Sequence, residues 1–227
     1  MTKPSSKKSL SKQDTAWESF RKGQFDDALD MFSEILKKGK KESALYGRAC
    51  TLFRISDLEG AMRDLSLLMK MNPGNMAYLH TRALVHGANE EYERARKDLE
   101  KVLKHEPDNG EALCDMGGLY LVMEDYPAAR GMFEKAADTD KTCACGWFGK
   151  GVASLYMKEY KKAEEYLNIA IKLDKKLVDA YMARAEAAFG VNHKKEALKD
   201  VKKAMTLDKN FRELLKEYVA DNFREDE

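Results

Sequence analysis

An all-α array of six two-helix repeats is predicted by three observations: a ladder of small residues at fixed period, apolar stripes at helical spacing beside it, and turn residues between copies. Self-similarity at a fixed period is the signature of repeat architectures. Ala28, Ala61, Ala95, Ala129, Ala163 and Ala197 are separated by 33 residues once and then by 34 residues four times. Twelve residues before each stands another small residue: Ala16, Ala49, Ala83, Gly117, Gly151 and Ala185. Small residues on two consecutive helices let those helices cross closely, ridge into groove.

The second helix of each repeat follows from the flanks of the ladder. Three residues before each alanine come Phe25, Leu58, Tyr92, Tyr126, Tyr160 and Lys194; four after come Phe32, Leu65, Leu99, Phe133, Leu167 and Val201. Ile35, Leu68, Val102, Ala136, Ala170 and Ala204 stand seven after. Positions 0, +4 and +7 share one helical face and form a core stripe. Breaks fall at Asn72-Pro73-Gly74-Asn75 and Glu106-Pro107-Asp108-Asn109, where Pro, Gly and Asn end helices. Asp140-Lys141, Asp174-Lys175 and Asp208-Lys209 take the same place without proline. Pro127 sits in the first turn of a second helix, where a missing N–H costs little.

This pattern resembles the tetratricopeptide repeat family over residues 9–211, with repeats expected at 9–41, 42–75, 76–109, 110–143, 144–177 and 178–211. The resemblance implies a right-handed superhelical solenoid of paired antiparallel helices with a concave groove. Residues 1–8 are expected to form a Lys/Ser-rich tail, and 212–227 a C-terminal capping helix with a frayed end, since terminal repeats need a polar outer cap. Lys194 in place of an aromatic and the short first repeat depart from the pattern at its ends.

A second regularity carries charge. Arg48, Arg82 and Arg184 each precede the small residue of a first helix, and Asp64, Asp98 and Asp200 follow sixteen residues later. Repeat five has Lys150 with Tyr166, and repeat four Met116 with Met132. The charges come and go together, so a bidentate Arg–Asp bridge between the two helices of one repeat is expected.

In the family the groove is lined by the second, fifth, ninth, twelfth and thirteenth places of each first helix. Of the 30 such positions here, only five are charged and seven are aromatic, against 35% charge in the whole chain. Candidate groove residues are Trp17, Phe20, Tyr46, Phe53, His80, Leu84, Cys114, Leu121, Phe148, Val152, Tyr156, Met182, Glu186 and Phe189. An apolar face that large implies a use, and an apolar or amphipathic helix or peptide of a partner protein fits it. On that reading Phe148→Asp or Tyr46→Asp abolishes binding with little loss of stability. The alternative packing is that these side chains fill the space against the adjacent first helix, or that the chain's own ends fill the groove. Chaperone-binding members hold a terminal carboxylate with Lys at the fifth and Asn at the ninth place. This chain offers Gln13/Trp17, Tyr46/Cys50, His80/Leu84, Cys114/Gly118, Phe148/Val152 and Met182/Glu186, so that clamp is not expected.

Other chemistry finds little support. Cys143-Ala144-Cys145 has no second cysteine pair at zinc-site spacing; Cys114 and Cys145 map to neighbouring groove places. His80 and His86 are six apart and do not share a ligand face. Gly149-Lys150-Gly151 follows no strand, so it fails the context of a phosphate loop. No metal, cofactor, small-molecule substrate or catalytic activity is expected. The net charge of +1 argues against nucleic acid, and no apolar run approaches the roughly 20 residues of a membrane span. A scaffold or adaptor binding a protein or peptide is the leading expectation, with an assembly subunit using convex or edge surfaces as the alternative. A monomer is the expected state, and a cytoplasmic location, with the Lys-rich tail leaving a nuclear one open.

Overall fold

The computed structural model describes residues 11–39 and 41–209, with Arg212 and Leu215. The tail at 1–8 lies outside the described residues, as does the capping helix apart from those two. Within the described residues the chain is all-α, with twelve helices and no strand. It divides into two compact units, the first ending at His105 and the second starting at Glu106.

The first unit holds three antiparallel pairs: α1 (Lys12–Arg21) with α2 (Phe25–Lys37), α3 (Glu42–Arg54) with α4 (Leu58–Met71), and α5 (Met76–Ala88) with α6 (Tyr92–His105). The second holds α7 (Gly110–Val122) with α8 (Tyr126–Thr139), α9 (Ala144–Tyr156) with α10 (Tyr160–Leu173), and α11 (Val178–Gly190) with α12 (Lys194–Leu207). Polar side chains start the helices where the break residues stand. Asn75 and Asn109 accept from the Ala77 and Ala112 amides, Asp57 and Asp125 from those of Gly60 and Ala128, and Ser11 forms a capping box with Asp14.

Every pair turns through one backbone device. Gly23, Ser56, Glu90, Glu124, Lys158 and Asn192 occupy equivalent places before the second helix, all at φ between 59° and 75°. Only Gly23 is free of the Cβ cost of this left-handed turn; the other five bear it because the helices on both sides are anchored by packing.

Packing explains the ladder. All six alanines are at most 1% exposed, at the contact between paired helices. A Cβ on Gly117 would lie 2.8 Å from the Phe133 ring, and one on Gly151 would lie 2.5 Å from Leu167 Cγ, each sixteen residues on in the same repeat. Phe32, Leu65 and Leu68 form the heart of the first unit, and Leu167 with Ala163, Ala170 and Tyr181 that of the second. Leu215 is buried against Ala185, Ala188, Ala197 and Val201.

Candidate protein-interaction surface

The sixteen-residue pairs are fully formed. Arg48 Nε and Nη2 donate to Asp64 Oδ2 and Oδ1 at 2.7 and 2.8 Å, and Arg82 repeats those distances to Asp98. Arg184 donates to Asp200 at 2.7 and 2.6 Å and also to Asn168 Oδ1 at 2.5 Å, from the preceding repeat. The aspartate carboxylate raises the Arg48 and Arg184 pKa above the ordinary guanidinium value by accepting these bonds, against the opposing effect of burial. These residues tie helices together.

Repeat five corrects the expectation that the charges vanish together. Lys150 stays, only 6% exposed, and Glu134 replaces the missing aspartate, accepting from Nζ at 3.1 Å. Its ammonium also lies over the rings of Trp147 and Tyr166, at 4.9 and 4.5 Å from their centroids. Two aromatic faces and a carboxylate from the preceding repeat compensate a cation that burial alone would disfavour.

The candidate groove residues divide by unit. In the first unit they are half-buried and held by one another. Trp17 meets the rings of Phe20, Phe32 and Tyr46 edge-on or tilted at 5.5, 5.3 and 6.2 Å, and Tyr46 lies against Tyr78 at 5.1 Å. The Tyr46 hydroxyl is 3.0 Å from Thr81 Oγ1. Phe53 packs on the core around Leu65, while His80 and Leu84 are half-buried. Tyr46→Asp therefore strikes packing, which corrects its use as a stability-neutral probe. Phe148, half-buried against the Leu167 core, is unsuitable for the same reason.

The second unit keeps apolar side chains at the surface on the corresponding face. Val122 and Tyr156, both at the thirteenth place, are 57% and 56% exposed; Phe189, at the twelfth, is 39% exposed. Tyr156 stacks on Tyr126, with centroids 5.0 Å apart and planes 11° from parallel, so its ring is fixed while one side remains wet. Val152, Leu155, Tyr156, Met182 and Glu186 line a pocket of about 540 Å³ with Ala183, Ala185, Val201 and Leu215. Glu186 is exposed, Leu121 half-buried, and Cys114 buried. Among the described residues no cluster of three or more His, Cys, Asp or Glu could hold a metal, and no helix is long and apolar enough to cross a membrane.

One polar cluster had no signal in the sequence. His86, buried on α5, has Nδ1 2.5 Å from Glu91 and Nε2 4.0 Å from Asp98. Glu91 also accepts from Arg94 at 2.9 Å, and these bonds, the one to His86 foremost, hold its carboxyl below the usual range. With Arg82 the cluster lines a pocket of about 330 Å³, its charges compensated internally. It braces the turn between α5 and α6.

Comparison with known proteins agrees with the helical pattern. One tetratricopeptide repeat model matches residues 88–144, and a second matches residues 146–177. A stretch of 69 residues is 33% identical to sperm-associated antigen 1 of Homo sapiens; it takes in 30% of this chain but only 8% of that protein's length. A tetratricopeptide repeat protein from Parabacteroides merdae aligns with TM-score 0.69 and 20% identity, over 87% of this chain and 78% of its own. The MamA protein aligns with TM-score 0.61 and 20% identity, over 81% of this chain and 96% of its own. The Cut9–Hcn1 hetero-tetramer of the APC/C supplies a further match, TM-score 0.81 at 16% identity, over 90% of this chain and 42% of its own. At such identities the likeness is one of fold. Residues 88–144 and 146–177 thus match tetratricopeptide repeat models, and the alanine ladder and paired helices extend the same repeat fold through the other described repeats.

Proposed function

We propose that the protein is an interaction scaffold whose second unit binds an apolar or amphipathic segment of a partner protein on the face carrying Val122, Tyr156 and Phe189. The observation that carries this reading is the exposure of three large apolar side chains at the twelfth and thirteenth places of the second unit's first helices, beside a pocket lined by Val152 and Met182. Apolar patches on a monomer's surface mark contact sites more often than chance allows. The Tyr126–Tyr156 stack makes an anchor with little rotamer freedom to lose on binding. Glu186, exposed at the pocket rim, favours a segment with a cationic or hydrogen-bonding group next to its apolar anchor. The chaperone carboxylate clamp has no residues here, as the fifth and ninth places carry Cys114/Gly118, Phe148/Val152 and Met182/Glu186 in this unit.

Affinity capture with the wild-type chain and with Tyr156→Asp, followed by mass spectrometry and thermal melting of both, tests the reading. A partner set lost from Tyr156→Asp at nearly unchanged melting temperature supports it. An unchanged partner set refutes it.

A second reading, an assembly subunit held through outer helix faces, draws on Leu67 and Met71. Both are exposed on α4 and line a pocket of about 460 Å³ with Leu36, Leu45, Arg48 and Lys70. Leu67→Asp would then break the assembly while leaving capture through Tyr156 intact.

A further inference from the structure

The outer face of α4 differs from that of every other second helix. Met62 and Leu67 stand one and six places after the anchor alanine. At those places the other second helices carry Leu29/Glu34, Arg96/Lys101, Arg130/Lys135, Glu164/Ile169 and Leu198/Lys203, so each has at least one charge and α4 has none. Leu67 is exposed, and it lines one shallow groove of about 590 Å³ with Glu59, Met62, Arg63, Ser66 and Lys70. These six fall at i, i+3, i+4, i+7, i+8 and i+11, which is a single stripe along the helix. Beside it Leu36, Leu45 and Met71 line the adjoining pocket and extend the apolar surface beyond one helix.

The stripe complements itself when it is reversed. Laid antiparallel on a second α4, with a two-fold axis between positions 64 and 65, Glu59 faces Lys70, Met62 faces Leu67 and Arg63 faces Ser66. The symmetry makes each of these pairs occur twice. A parallel arrangement would instead set Glu59 on Glu59 and Lys70 on Lys70. We propose that two copies of this chain pair through their α4 stripes, antiparallel about a two-fold axis.

This inference rests on the assembly reading of the α4 face and names its occupant as a second copy, in place of the monomer expected from the sequence. The two Met62–Leu67 contacts form an apolar centre that excludes water. The charges at the two ends fix direction and register more than they add affinity. Lys70 is exposed and makes no ion pair among the described residues. Glu59 accepts from Arg63 of its own helix at 3.4 Å, a long contact between two exposed groups, and its other oxygen is left for Lys70 of the partner subunit.

The test measures the mass of the full chain by sedimentation at rising concentration. Wild type is expected to reach twice the mass of one chain, and Leu67→Asp to stay single at an unchanged melting temperature. Glu59→Lys and Lys70→Glu should each weaken association about fivefold, since each sets like charges together twice. An equimolar mixture of those two variants should recover it, because every reversed residue then faces an unlike charge; mixing cannot repair a folding defect. A single-chain mass at every concentration overturns the proposal. A dimer untouched by Leu67→Asp overturns its location, and a mixture that does not recover overturns the antiparallel register. If the chain stays single while a different protein is captured and then lost from Leu67→Asp, the second copy is overturned and the assembly reading stands. If Leu67→Asp changes neither mass nor capture, both fall.

Discussion

Arg48 and Asp64 form one contact with two unequal halves. The Asp64 side chain is 5% exposed and the Arg48 side chain 30%. Arg48→Met strands a buried carboxylate and should cost about 3 kcal/mol, whereas Asp64→Leu leaves a cation that can reach water and should cost about 1 kcal/mol. Urea melts of the two variants measure the asymmetry, and equal losses would contradict it. Glu91 makes a pH prediction with a definite sign. Its carboxyl is lowered from 4.5 by His86 and Arg94, so its contribution is in place above the ordinary carboxylate value and lost as pH falls through the folded one. Glu91→Gln should flatten the acid limb of stability between about pH 5 and pH 3 and leave neutral pH little changed. The Arg–Asp pairs were legible in the sequence because both partners belong to one repeat and recur together. Lys150 was only half legible: its carboxylate, Glu134, comes from the preceding repeat, and its two rings fill the space an aspartate would have left.

Between neighbouring repeats, the sixth place of a first helix matches the core residue of the second helix before it. Gly47 sits on Phe32 and Gly149 on Phe133, where a Cβ would come within 2.3 and 2.2 Å of a ring carbon. After Leu65 and Leu167 the same place holds Thr81 and Ala183. Large faces small, and smaller faces larger. Gly149→Ala should cost about 2 kcal/mol by overpacking, and Phe133→Leu in the same chain should recover part of it. Additive losses in that double-mutant cycle would contradict the match. The columns were visible in the sequence, but their complementarity was not, because it joins residues of different repeats. The groove aromatics show the same limit. The repeat register put Trp17 and Tyr46 at matching groove places, yet only the fold shows them packed against Phe20, Phe32 and Tyr78.

At the scale of the whole chain, the 34-residue period runs through the boundary between His105 and Glu106 unchanged, so periodicity reported six repeats and not two units. The packing rule that makes the ladder is local to each helix pair. What distinguishes the units is where their first-helix apolar side chains lie: the aromatics of the first stack on one another, while Val122, Tyr156 and Phe189 of the second stand at the surface. The most direct test of that division is titration calorimetry of a captured partner segment against wild type, Tyr156→Asp and Leu67→Asp. At least a tenfold loss of affinity, about 1.4 kcal/mol, is expected for Tyr156→Asp, with Leu67→Asp unchanged. Unchanged affinity in Tyr156→Asp, or loss confined to Leu67→Asp, would contradict the assignment of the second unit's face as the binding surface.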